Sequence, residues 1–281
     1  MRGYRILVVV ALLALGIAGV AILVGTSKIA RAPVAEGESP LPASPVGDEP
    51  IQPIPLQVEL DLDKVELGRA LFFDGRLSAD DTVSCDSCHK LNLGGADRLD
   101  RSIGIHGRVG RTNAPTVLNS GFNSSQFWNG RAATLEEQIE GPVHSDFEMA
   151  SSWPEAIAKL RADAETSSLF AAVYDEISAA NIKDAIATFE RSLITPNAPF
   201  DRWLRGDDGA LTMEEVEGYR LFKERGCASC HSGANVGGTS FAPFGLVHDY
   251  FEHRSHISET DLGRFTVSGR DEDRHVFKVP G

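Results

Sequence analysis

Two short patterns pair thiols with an imidazole: Cys85-Asp86-Ser87-Cys88-His89 and Cys227-Ala228-Ser229-Cys230-His231. Two thiols a turn apart can each form a thioether with a haem vinyl group, and the adjacent imidazole can then reach the iron. Together the patterns use all four cysteines, so no thiol is left for a disulfide framework. A zinc site would want more soft ligands than are present. Two copies, both ending in His, also count against a chance pair or a redox dithiol. The expectation is two covalently bound haem c groups, one on Cys85, Cys88 and His89 and the other on Cys227, Cys230 and His231.

A sixth position on each iron decides between electron carriage and reaction with a small ligand. Besides the two proximal residues, the candidates are His106, His144, His248, His253, His256 and His275, with Met149 and Met213. His106 stands out, because the Gly-rich loop Ile103-Gly104-Ile105-His106-Gly107 could bring it over an open haem face.

The elements that must hold these residues read as helices. Asp61 can cap a helix running through Phe73, and Ser152 with Trp153-Pro154-Glu155 starts another. Asn181 can cap a helix with Ile182, Ala185, Ile186, Phe189 and Leu193 at near-helical period. Thr212-Met213-Glu214-Glu215 is a capping box. Strand alternation is absent, so the expected fold is all-α with long loops. Gly68-x-x-Leu71-Phe72 and Gly218-x-x-Leu221-Phe222 repeat ahead of the two cysteine patterns. The reading is two tandem cytochrome c-like domains, 58–198 and 199–281, divided in the stretch Thr195-Pro196-Asn197-Ala198-Pro199.

Ahead of them, Ile6 to Gly25 is an unbroken run of apolar and Gly residues behind Arg2 and Arg5. It exceeds the roughly 7–15 residues of a cleavable signal core and approaches the ~20 that span a bilayer. This favours an uncleaved anchor over a cleaved peptide within the expected export segment 1–26. The Pro-rich stretch 27–57 then reads as a semi-rigid tether. A formal net charge of -13 disfavours nucleic acid and anionic lipid and suits a basic partner, such as a small redox carrier.

Longer segments carry a resemblance. Leu71-Phe72-Phe73-Asp74-Gly75-Arg76-Leu77-Ser78, Asn113-Ala114-Pro115-Thr116, Gln126-Phe127-Trp128-Asn129-Gly130-Arg131-Ala132, Gly141-Pro142, Phe189-Glu190-Arg191 and Pro199-Phe200-Asp201 occur in order around the cysteine patterns. They resemble the bacterial di-haem cytochrome c peroxidases and the related MauG-type enzymes, from about Asp63 to the last residue.

The resemblance implies periplasmic reduction of hydrogen peroxide to water, with electrons from a reduced cytochrome c or cupredoxin. His89 would serve the peroxidatic haem, with His106 as its distal ligand. Trp128 would lie between the haems, Gln138 and Glu148 would form the peroxide pocket shaped by Pro142, and Asn113 would bind calcium. Independently of the family, moving a proton between the peroxide oxygens needs a group such as a carboxylate tuned upward in a dry pocket. Glu148 suits that role.

His231 would serve the electron-entry haem. Neither Met149 nor Met213 matches its expected axial methionine, and relatives continue beyond Phe277-Lys278-Val279-Pro280-Gly281, so the chain is expected to be a truncated piece. Smaller departures are Asn129, where Asp is usual, and His144-Ser145-Asp146, where an Asn-Pro pair is common. MauG-like oxidation of a partner protein and a plain di-haem electron carrier remain as rival readings, and a homodimer stays open.

Overall fold

The structure is a computed structural model, which describes residues 49–281. The expected export segment 1–26 and residues 27–48 of the expected tether lie outside the described residues. Among those described, no helix is long and apolar enough to cross a membrane.

The chain is helix-rich. In order it forms α1 (Leu62–Phe72), α2 (Cys85–Cys88), α3 (Leu135–His144), α4 (Trp153–Arg161), α5 (Ala164–Val173), α6 (Ala179–Ser192), α7 (Pro199–Leu204), α8 (Met213–Glu224) and α9 (Phe265–Ser268). Long loops with single 3-10 turns join them.

Several helix starts follow directly from capping chemistry. Asp61 accepts from the Asp63 and Lys64 amides at the start of α1, and Thr212 and Glu215 satisfy each other's backbone at the start of α8. Ser152 precedes α4, with Pro154 in its first turn. The Asn181 expectation needs correction. The cap of α6 is Ser178, whose hydroxyl accepts from the Asn181 amide at 3.3 Å, so Asn181 is already helical.

Two apolar clusters form. The larger joins α1 to α6 through Leu67, Leu71, Phe72, Ile182, Ala185, Ile186 and Phe189, with Ile139, Leu160 and Phe170 from the helices between. Each large side chain buried there is worth roughly 1.5–3 kcal/mol. The smaller gathers Trp203, Leu204 and Tyr219 around Ile51.

Two further corrections follow. The fold is not purely helical, because β1 (Phe241–Pro243) pairs antiparallel with β2 (Val276–Lys278), Phe241 facing Lys278. Three-residue strands whose partners lie far apart in sequence carry no readable alternation. Nor do residues 49–57 behave as a free tether. Ile51 and Ile54 are buried, and the backbone of this stretch bonds to Gly233 and Asp201.

Candidate active site

The first cysteine pattern folds as a single helical turn. Ser84 precedes α2, and its amide donates to Ser87 Oγ at 3.0 Å. This turn sets Cys85 and Cys88 on one short helix and leaves His89 at its C-terminal end. His89 Nδ1 lies 3.1 Å from the Pro115 carbonyl and 3.4 Å from that of Gly95. A proton on Nδ1 donated to these acceptors leaves the Nε2 lone pair for a metal. Burial lowers the His89 pKa, which favours the neutral ring that a ligand must be. Burial also pushes the Cys85 thiol far above its usual range, and the Cys88 thiol upward. Such thiols resist ionisation.

Around the second pattern, His231 Nδ1 lies 2.9 Å from the Val236 carbonyl, the same second-neighbour arrangement. The Phe222 ring meets His231 edge-on at 6.4 Å. None of the four cysteines is in a disulfide. Unpaired thiols, oriented imidazoles and exposed apolar side chains nearby in the chain, Leu99, Ile103 and Val109 for the first pattern and Leu221 for the second, fit a haem at each.

Glu148 hangs from the end of α3. The Met149 amide donates to the Pro142 carbonyl at 3.1 Å and the Ser151 amide to that of Val143 at 2.8 Å, which satisfies acceptors the helix end leaves open. Pro142 has no N–H, so the Gln138 carbonyl loses its usual helical donor. The Glu148 carboxyl is half-buried, and burial raises its pKa, against a hydrogen bond from Ser145 and the positive charge of Arg131. Its charge is felt at Cys88, so the carboxyl stands near the first attachment site.

The His106 loop is strapped to this carboxylate's backbone. The Ile105 amide donates to the Glu148 carbonyl at 2.8 Å. A Cβ on Gly104 would stand 2.1 Å from the Phe147 carbonyl oxygen, so only glycine allows this approach. His106 itself adopts a left-handed φ of 55°, its side chain largely exposed, with Nδ1 3.2 Å from Asp80. That contact engages Nδ1 and leaves Nε2 as the nitrogen suited to an iron.

Trp128 sits at the tip of a narrow turn closed by the Gln126 amide donating to the Ala132 carbonyl at 2.8 Å. Its indole N–H points to the Asn113 carbonyl at 3.4 Å, and its own carbonyl accepts from the Lys278 amide at 2.8 Å. Asn129 reaches Thr266 Oγ1 at 3.0 Å. The turn therefore joins the segment after the first cysteine pattern to the one after the second. Gln138 is half-buried on α3. Asn113 is exposed, and among the described residues no trio of His, Cys, Asp or Glu side chains is placed to hold a metal ion.

Of the remaining candidates, Met149 is buried in the larger cluster, Met213 is exposed at the start of α8, and His275 stacks on Phe251. His144 bonds to Glu140 and the Ser151 carbonyl.

Sequence reasoning missed Arg131, Ser145 and Asp80 as partners of the site. It also passed over Glu190, although Phe189-Glu190-Arg191 was a visible motif. Glu190 lies on α6 with Oε2 lacking a hydrogen-bond partner among the described residues, and burial pushes its pKa up to about 8. Its charge is felt at Cys85.

The sign of the resulting pH dependence is fixed. Below the ordinary value of 4.5, Glu190 is protonated whether folded or not. Between 4.5 and about 8 the unfolded chain has released the proton while the folded chain keeps it, so stability falls as pH rises across that window. The loss amounts to roughly 3 kcal/mol by neutral pH. Glu190→Gln is expected to abolish it, read as the wild-type minus variant difference in denaturation free energy. A difference that does not change with pH would refute the assignment.

Comparison with known proteins gives the class. A family profile described as "Di-haem cytochrome c peroxidase" matches residues 62–209. The chain belongs to this family. It is 52% identical over 236 residues to the cytochrome c peroxidase Ccp of Escherichia coli, covering 83% of this chain and 50% of that protein. Against the cytochrome c551 peroxidase of Nitrosomonas europaea it is 45% identical over 235 residues, covering 83% of this chain and 69% of the relative. The MauG protein of Methylorubrum extorquens is 36% identical over 234 residues, with 81% and 64% covered. The chain thus spans half the length of the Escherichia coli relative. Among solved structures, a MauG-like protein associated with microbial copper homeostasis superposes with a TM-score of 0.69 at 28% identity, covering 87% of this chain and 74% of that one.

Proposed function

We propose that the chain is the catalytic part of an exported di-haem peroxidase that reduces hydrogen peroxide to water. The observation that carries this reading is Glu148: a carboxyl held above its usual pKa by burial, beside Cys88 and Arg131, on backbone shared with the His106 loop. Identities of 52% and 45% to peroxidases against 36% to a MauG protein favour this over oxidation of a partner protein.

Cys85, Cys88 and His89 would hold one haem c and Cys227, Cys230 and His231 the other, each in a cytochrome c-like domain, 58–198 and 199–281. The two apolar clusters support that division. Bound haem would supply iron for peroxide and a store for single electrons.

The chain's own groups then have defined tasks. Glu148 takes the proton of the near peroxide oxygen and returns it to the far one, which leaves as water. The Ser145 hydrogen bond and the Arg131 charge favour the ionised carboxylate that must accept the proton, against the burial that raises its pKa. Gln138 offers an amide donor in the pocket shaped by Pro142, and His106 must stand aside while peroxide is bound. Trp128 supplies an aromatic step between the two attachment segments. Balance requires two electrons and two protons per peroxide, giving two waters. The electrons come from a reduced cytochrome c or cupredoxin.

Asn113 remains the calcium candidate in this reading, but a calcium ion takes about six to eight oxygens, and no step is assigned to it. The apolar run from Ile6 to Gly25 supports a periplasmic location with the chain anchored to the inner membrane. A homodimer remains part of the reading.

The test is direct. The purified holoprotein is expected to weigh two haems more than the polypeptide and to consume peroxide with a reduced small cytochrome, after reduction of the His231 haem. A protein that carries both haems, yet never turns over peroxide with any reduced donor, would overturn the reading.

A further inference from the structure

The last residues before the first helix belong physically to the second cysteine site. Residues 49–56 run across α7 and α8, and this strap is held at three points. Glu49 accepts from Tyr219 Oη at 2.6 Å and from Lys223 Nζ at 2.9 Å. Ile51, 4% exposed, fills the cluster of Trp203, Leu204 and Tyr219. The Ile54 amide donates to buried Asp201 Oδ1 at 3.0 Å, and the Ile54 carbonyl accepts from Arg205.

Between these anchors the strap brackets one residue of the loop that follows His231. The Gly233 amide donates to the Pro50 carbonyl at 2.8 Å, and the Gln52 amide donates to the Gly233 carbonyl at 3.4 Å. The Gly233 carbonyl also accepts from the Val236 amide at 3.3 Å. The Val236 carbonyl, in turn, is the acceptor 2.9 Å from His231 Nδ1. An unbroken hydrogen-bonded path runs from the strap through Gly233 and Val236 to the imidazole.

We propose that Glu49–Leu56 is a positioning element of the His231 site, fixing through Gly233 the loop whose Val236 carbonyl orients the ring. Its relevance to electron entry rests on reading Cys227, Cys230 and His231 as a haem site. The physical reason is that the partner of Nδ1 sets both the direction of a ligating imidazole and the basicity of its other nitrogen. Local packing holds the loop from Cys230 to Val236 only weakly at its middle: Gly233 has a φ of 76°, and a Cβ there would meet nothing nearer than the Thr239 methyl at 3.8 Å. The His89 site takes its acceptors from Gly95 and Pro115, outside the reach of the strap, so it serves as an internal control.

Two variants of the full-length holoprotein test this. Ile51→Ser withdraws the apolar anchor. Gln52→Pro removes one donor to Gly233 while leaving Ile51 in place, which guards against general unfolding. In both, hydrogen exchange at the Gly233 and Val236 amides is expected to speed up about tenfold or more. The midpoint potential of the His231 haem should shift while that of the His89 haem stays, and Ile51→Val should restore both readouts. The proposal is overturned if the Ile51 and Ile54 amides exchange freely while Gly233 and Val236 keep wild-type protection, or if the two haem potentials move together. Protein mass tests the haem reading separately, because a chain without haem on Cys227 and Cys230 would sink that reading and leave the exchange data to decide the strap.

Discussion

Glu148→Gln is expected to slow peroxide turnover by ~10²–10⁴-fold, the usual worth of a positioned proton-transfer group, while both haem spectra remain those of the wild type. The amide keeps the shape of the side chain and can still bond to Ser145, but it cannot accept a proton from one peroxide oxygen and deliver it to the other. The pH profile adds a readout that shape alone would not move. Burial raises the Glu148 pKa, so the proton-accepting form is lost at a higher pH than for an ordinary carboxylate. Wild-type turnover should therefore decline on acidification above the usual carboxylate range, and Glu148→Gln should lose that limb. Stopped-flow mixing of peroxide with the half-reduced protein measures both. Unchanged turnover in the variant would refute the role.

What could be read from residues alone divides by the range of the interactions concerned. The cysteine patterns were legible because their chemistry is local: two thiols and an imidazole within five residues need only one turn to act together, and α2 supplies it. Helix starts at Asp61 and Thr212 were legible for the same reason. The start of α6 was not, because Asn181 is as good a cap as Ser178 by residue type, and it is the Ser178 hydroxyl that accepts from the Asn181 amide.

The charged partner of Glu148 required the fold. Arg131 reaches it from the loop before α3, and nothing in its spacing from Glu148 marks it; Ser145 is a local partner three residues away. The strap was misread by composition. Its prolines suggested a semi-rigid tether, whereas Ile51 and Ile54 were the signal that it packs on the fold, which in a Pro-rich segment is decided by what lies beneath.

The first Gly-x-x-Leu-Phe motif carries a large expected effect on stability. A Cβ built on Gly68 would lie 1.9 Å from the Ala185 carbonyl oxygen and 2.9 Å from the Phe189 Cβ. Those atoms belong to the backbone and first side-chain carbon of α6, so no rotamer change can relieve the clash. Gly68→Ala must spread α1 from α6 and loosen the contacts of Leu71, Phe72, Ile186 and Phe189. Forcing volume into a packed core costs about 1–3 kcal/mol and occasionally more, and a backbone clash belongs at the upper end. The denaturant midpoint of Gly68→Ala should therefore fall well below that of the wild type. An unchanged midpoint would mean that α1 and α6 can separate freely, and would overturn the close packing assigned to this glycine.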